Sequence, residues 1–225
     1  DPHIDNEQKQ TIIDQTSRYF SLSAYYASLM SIQLKQKKPI VFMMSGLTGT
    51  GKSTIASKLA VDYRANVINT DVVRKQLEGV DTFERHLDDP NTGMYSPERV
   101  QKTYEQVLTY AEQLLKQQKN IVLDATFQKR KHRQMAKELA QKYDATFIPV
   151  FCTCPDEIAK KWLEERLKSK SVSDGRWEIY QMQKESFELF TDQEKPLIID
   201  MASEDYDEKM NAFNTILHHV KKDIL

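Results

Sequence analysis

Residues 46–53 read GLTGTGKS, set between the apolar run IVFMMS at 40–45 and TIASKLA at 54–60. Glycines at 46, 49 and 51 allow backbone turns that a Cβ resists, so successive amides can converge on phosphate oxygens. Lys52 adds a cation at the β and γ positions and Ser53 a hydroxyl for magnesium, while a helix starting there directs its positive end at the anion. A strand before the loop and a helix after it are the context this spacing requires. Gly46, Thr48, Gly49, Thr50, Gly51, Lys52, Ser53 and Thr54 are therefore expected to bind ATP.

Outward from the loop, short apolar runs alternate with long polar periodic segments, the pattern of a parallel sheet with crossover helices. Strands are expected at 40–45, 66–69, 120–124, 146–152 and 197–200, and helices at 52–63, 72–78, 97–118, 131–143, 156–168, within 177–190, and at 206–225. The fold class is thus α/β with a five-stranded parallel sheet. The stretch Gly79–Ser96 is long for a plain connection and reads as a substrate cover. Ahead of Pro39, residues 6–38 read as a helix capped by Asp5, with the aromatic stripe Tyr19, Phe20, Tyr25 and Tyr26 packed against the domain beyond Pro39, the lining of a ligand groove being the second reading. That divides the chain into a helical extension, 1–38, and a main domain, 39–225.

Bulk properties narrow the partners. With 32 basic and 33 acidic residues, the chain carries no global signature of a nucleic-acid binder. No apolar run spans a bilayer and no signal-peptide layout is present, so a cytoplasmic protein is expected. Cys152 and Cys154, alternate residues of one apolar run, read as buried free thiols. The chain opens on Asp1 rather than Met, which suggests a processed product or a piece of something longer.

The chemistry turns on two further strand ends. In NIVLDATF, Asp124 can join Ser53 in the magnesium shell, but Ala125 follows where a hydrolase would place a water-orienting glutamate. In VINTDVVRKQL, Asp71 stands where a strand yields to a helix, the edge at which ligands collect, and can accept the proton of an attacking hydroxyl. Arg74, one turn on, faces the same side; a plain helix cap with a surface partner is the bland alternative. Cations for the transferring phosphoryl could come from QKRKHRQ, with Arg130 and Arg133 just beyond Thr126, or from KKWLEERLKSK and SVSDGRW, with Arg166 ranked first and Arg176 second.

Together GLTGTGKSTIASKLA, NTDVVRKQL, YSPERVQKTYEQVLTYAEQLL and NIVLDATFQKRKHRQ resemble the P-loop kinases of the AAA_33, zeta-toxin and polynucleotide-kinase neighbourhood, over roughly residues 40–200. The nearest similarity is to the kinase domain that follows an aminoglycoside-phosphotransferase-like domain in some bacterial proteins. The resemblance implies a three-layer P-loop NTPase fold of nucleoside-monophosphate-kinase type with an arginine-bearing lid at about 161–180. Asp71 and Arg74 match the D-x-x-R of phage-type polynucleotide kinases, which implies a base for the acceptor hydroxyl and a contact to substrate phosphate. RYFSLSAYYASL resembles the linking helices ahead of such a domain, which implies an upstream partner domain.

The resulting expectation is an ATP- and Mg²⁺-dependent kinase acting on a hydroxyl. Lys52, Asp71, Arg74 and Arg166 would be catalytic, Ser53 and Asp124 would hold the metal, and Asp71, Arg74, Thr126, Arg130 and Arg133 would meet the acceptor. A small molecule is the first choice of acceptor and a nucleic-acid 5′-hydroxyl end the second. A nucleotide-dependent switch with little transfer is the rival from another class.

Overall fold

The computed structural model of the chain describes residues 6–84, 92–168, 172–202 and 206–224. Strands β1 (Ile40–Ser45), β2 (Asn66–Asn69), β3 (Ile121–Asp124), β4 (Thr146–Thr153) and β5 (Leu197–Asp200) form one sheet in the order β2-β3-β1-β4-β5. Every pairing is parallel, so each return crosses a face of the sheet through a helix. Helices α2 (Lys52–Asp62), α3 (Thr70–Glu78), α4 (Pro97–Lys116), α5 (Arg130–Lys142), α6 (Asp156–Leu167) and α7 (Trp177–Ser186) supply those returns, and α8 (Tyr206–Ile224) follows β5.

Alternation along β1 separates the two cores. Ile40, Phe42 and Met44 point into a layer with Ile55 and Leu59 of α2 and Ile216, Leu217 and Val220 of α8. Val41 and Met43 point the other way, against Tyr104, Val107, Ala111 and Leu115 of α4 and Ala136 and Ala140 of α5. Three layers result, as the sequence implied, and β1 is buried along its whole length. Cys152 is buried and Cys154 half-buried, both as free thiols; burial pushes them up to about 12 and about 11, so they stay protonated and inert.

The N-terminal helix, α1 (Asn6–Lys35), corrects one expectation. Of its aromatic stripe only Tyr25 packs inward, its hydroxyl donating to Asp62 at the end of α2. Tyr19 and Phe20 are 72% and 74% exposed, because α1 runs beyond the edge of the core its C-terminal half covers with Leu29 and Ile32. Asp5 lies outside the described residues, as do residues 85–91 of the expected cover, whose described flank includes a single 3₁₀ turn at Gly93–Tyr95.

One glycine sets the start of the phosphate loop. Gly46 has φ +135°, and a Cβ there would stand 2.3 Å from the Cys152 carbonyl oxygen of neighbouring β4. Its amide donates to Thr126 O at 3.1 Å, tying the loop to the residue just past β3. Gly46→Ala is expected to cost about 2 kcal/mol or more of folding stability, read by chemical denaturation. An unchanged denaturation midpoint would contradict this packing.

Candidate active site

The loop 46–51 returns on itself through Gly49 and Gly51, at φ +80° and +79°. Thr50 Oγ1 and Lys52 Nζ both donate to Leu47 O, at 2.8 and 2.6 Å, which draws the lysine across the loop mouth. Lys52 is 8% exposed; burial above all lowers its pKa, while the charge of Asp124 pulls the other way. Ser53 Oγ donates to Asp124 Oδ2 at 2.8 Å, and Asn69 Nδ2 donates to the same oxygen at 2.8 Å. Hydroxyl and carboxylate oxygens side by side form a donor set that suits Mg²⁺, which keeps several waters and takes few protein ligands. Ser53 and Asp124 would hold it, and bound there it would neutralise phosphate charge.

Asn69 also explains why α3 begins where it does. Its side chain accepts from the amides of Asp71 and Val72, at 2.9 and 3.1 Å, capping the helix that carries Asp71 and Arg74. Arg74 Nη1 donates to Asp71 and its guanidinium lies 4.6 Å from the centre of the Tyr95 ring. Arg74 Nε is buried with no hydrogen-bond partner. Burial works to raise the pKa of Asp71, but Arg74 and a hydrogen bond from Ser173, with the Lys52 charge, hold it below the ordinary carboxylate value. The carboxylate is therefore ionised, aligned, and within the field of the phosphate-loop lysine.

Lys52, Ser53, Asn69, Asp71, Arg74 and Asp124 line one cleft of about 1040 Å³, with Thr48, Gly49, Gly51, Thr54, Thr126, Arg166 of α6 and Arg176 just before α7. Burial lowers the pKa of Arg166, against the attraction of Asp71 and Asp124, so its charge faces the two carboxylates. Gly46 and Thr50 do not line it; they shape the loop from behind.

Arg130 and Arg133 do not border the cleft, contrary to the sequence expectation. Arg133 is 2% exposed, pairs through Nε with Glu194 at 2.5 Å, and donates to Phe127 O and Gln128 O at 3.1 Å each. Its guanidinium covers the Phe190 ring at 4.3 Å. It staples the segment after α7 to the loop after β3. Arg130 is exposed, and only its amide is engaged, donating to Glu188 at 2.7 Å. A run of basic residues on a helix does not reveal which of them turn inward.

Other residues in and behind the cleft wall went unread in the sequence. Lys75 is buried, donating to Thr82 O, Glu84 O and Val172 O and pairing with Asp174, which accepts from Tyr95 Oη at 2.9 Å. Gln183 Oε1 accepts from the Thr48 amide at 2.7 Å, so α7 touches the phosphate loop directly. Asn69 alone left a signal, an Asn one residue before a helix start. His132 stacks on Tyr104 in the cleft wall, ring centres 3.9 Å apart.

Against known families, residues 41–190 match the AAA domain family AAA_33. The chain belongs to this family. It is 33% identical over 118 residues to uncharacterized proteins of Mycobacterium tuberculosis (strain ATCC 25618 / H37Rv) and Mycobacterium bovis; the match covers 52% of this chain and 23% of each relative. Among solved structures, a gluconokinase from Sinorhizobium meliloti 1021 superposes with TM-score 0.53 at 18% identity, covering 82% of this chain and 97% of that one. The APS kinase CysC of Mycobacterium tuberculosis, in complex with AMPPNP and APS, gives 0.52 at 17%, covering 81% and 98%. Kti12 of Chaetomium thermophilum, in complex with ADP-AlF3, gives 0.55 at 16%, covering 80% and 98%. At these identities the likeness is one of fold, and it is the P-loop kinase fold. Among the described residues no helix is long and apolar enough to cross a membrane.

His132 offers a direct check of the wall. Burial lowers its pKa to about 4, with Lys131 adding to the effect. The native pKa lies below the unfolded value near 6.5, so the unfolded chain binds the proton first and stability falls as pH drops from about 6.5 to 4. Proton NMR should show a His132 midpoint near 4, and His132→Gln should flatten that fall. A midpoint near 6.5 would contradict the stacked, buried ring.

Proposed function

We propose that this chain is an ATP- and Mg²⁺-dependent phosphotransferase that moves the γ-phosphoryl group to a hydroxyl of a small-molecule acceptor. The observation that carries the reading is Asp71, ionised and aligned by Arg74, in one cleft with Lys52 and the phosphate loop. Loop amides and Lys52 bind the phosphates, and Arg166 adds charge to the transferring group. Asp71 orients the acceptor hydroxyl and takes its proton as the new O–P bond forms and ADP leaves. Arg74 both fixes Asp71 and offers its charge to the acceptor side.

Two features favour a small acceptor over a nucleic-acid end. The cleft is flanked by the Gly93–Tyr95 turn and the 172–176 segment, which Asp174 and Tyr95 hydrogen-bond together. Arg133, which would have met a polyanion, is used internally. The fold likeness to a gluconokinase and to an APS kinase agrees with this choice. Because the sequence match covers 23% of each relative, the reading concerns this chain and not a longer protein.

The test is incubation with Mg²⁺ and γ-labelled ATP against a panel of nucleosides, sugars, sugar nucleotides, aminoglycosides and 5′-hydroxyl oligonucleotides. Label should reach a small molecule, fall about 10²- to 10⁴-fold in Asp71→Asn, and leave ATP affinity nearly unchanged in that variant. Lys52→Ala should weaken both binding and turnover, because its charge serves ground and transition states alike. Equal loss of ATP binding in Asp71→Asn would remove Asp71 from the role of base. Label confined to oligonucleotides would replace the acceptor class.

A further inference from the structure

The peptide between Leu47 and Thr48 is held on both sides. Its oxygen accepts from Lys52 Nζ at 2.6 Å and Thr50 Oγ1 at 2.8 Å, and its N–H donates to Gln183 Oε1 at 2.7 Å. Only the oxygen of a carboxamide can take that hydrogen, so chemistry fixes which way the Gln183 side chain is turned. Its Nε2 carries two further hydrogens, and among the described residues none accepts them. Through that one peptide, Gln183 Oε1 lies no more than about 8 Å from Lys52 Nζ, the reach of two hydrogen bonds with a C=O and a C–N bond between them.

The helix that carries Gln183 is pinned. Tyr180 packs with Ala159 and Leu163 of α6 and its hydroxyl donates to Asp156 at 2.8 Å, while Lys184 donates to the same carboxylate at 2.6 Å. Trp177 stacks on Tyr180, ring centres 4.9 Å apart, so residues 177, 180 and 184 fasten one stripe of α7 to α6. Ile179, Met182, Gln183 and Ser186 form another stripe, and it lines the cleft. At the C-terminal turn Lys129 Nζ donates to Ser186 O at 3.2 Å, tying α7 to the segment after β3. Gln183 thus stands on a fixed element and is itself fastened to the phosphate loop, which is what a positioned donor requires.

We propose that Gln183 binds the γ-phosphoryl group directly: Nε2 donates to a non-bridging γ-oxygen while Oε1 stays on the Thr48 amide. The inference rests on the phosphotransfer reading and adds a neutral donor to the cations Lys52 and Arg166. A donor held in place before the nucleotide arrives needs no reorganisation when charge shifts on the transferring group. ADP ends at its β-phosphate and gives Nε2 no γ-oxygen to meet. The contact therefore favours ATP over ADP and weakens once the phosphoryl group has left.

The experiment titrates ATP and ADP, each with Mg²⁺, into the 225-residue chain and into Gln183→Met and Gln183→Glu, with thermal melting to show both variants folded. Met keeps the length and loses donor and acceptor; Glu keeps an acceptor for the Thr48 amide and loses the donor. The preference for ATP over ADP should fall about tenfold or more in both variants, since each loses a hydrogen bond to a charged group. If Gln183 serves only to hold the Thr48 amide, Gln183→Glu will keep the native preference and Gln183→Met will weaken both nucleotides alike. Either of those results would overturn this inference alone and leave the proposed function standing. A preference lost in both variants, with no acceptor labelled by the native chain, would keep the γ-phosphoryl contact and overturn the phosphotransfer reading. A native chain that binds no ATP would overturn both.

Discussion

A single carboxylate oxygen, Asp124 Oδ2, holds the machinery together. It accepts from Ser53 at the start of α2 and from Asn69 at the end of β2, while its own residue closes β3. The register makes this possible: Met44 and Asn69 stand level with Asp124 on either side, so the phosphate loop, the helix that carries Asp71 and the Asp124 carboxylate leave the sheet at one height. Slipping one strand by a residue would turn Asp124 into a face of the sheet, since side chains alternate. Burial of β1 between two apolar layers is what fixes that register.

The 172–176 wall of the cleft is held by a different kind of interaction. A lysine is expensive to bury unless its hydrogens are matched, and Lys75 meets three carbonyl oxygens and a carboxylate. It lies one residue after Arg74, so α3 presents two sides: Asp71 and Arg74 toward the cleft, Lys75 toward Val172 and Asp174 of the segment that borders it. Arg133 with Glu194 does the equivalent on the far stem, fastening the chain beyond α7 to the loop after β3. With both stems fastened, α7 can place Gln183 on the Thr48 amide.

Much of this was legible because the signals are local. The phosphate-loop glycines, the apolar runs that became the strands, and the helix read at 72–78, which begins two residues earlier at Thr70, each depend on a few adjacent residues. Asp71 and Arg74 were readable for the same reason, three apart on one helix face. Lys75, Tyr95 and Asp174 were not, because their meaning is a contact between residues 99 positions apart in the case of Lys75 and Asp174. Arg130 and Arg133 misled because the basic run QKRKHRQ gives charge and not direction. The aromatic residues of α1 misled in the same way, since periodicity shows a stripe without showing where the core beneath it ends.

The most direct test of the central claim is calorimetric titration of ATP into the chain and into Asp124→Asn, with and without Mg²⁺. If Asp124 and Ser53 form the metal seat, Mg²⁺ should tighten ATP binding to the native chain by about tenfold or more, and the variant should bind ATP equally with and without the ion. Mg²⁺ dependence that survives intact in Asp124→Asn would contradict the account, because the carboxylate at the junction of the three strand ends would then have no part in holding the nucleotide's metal.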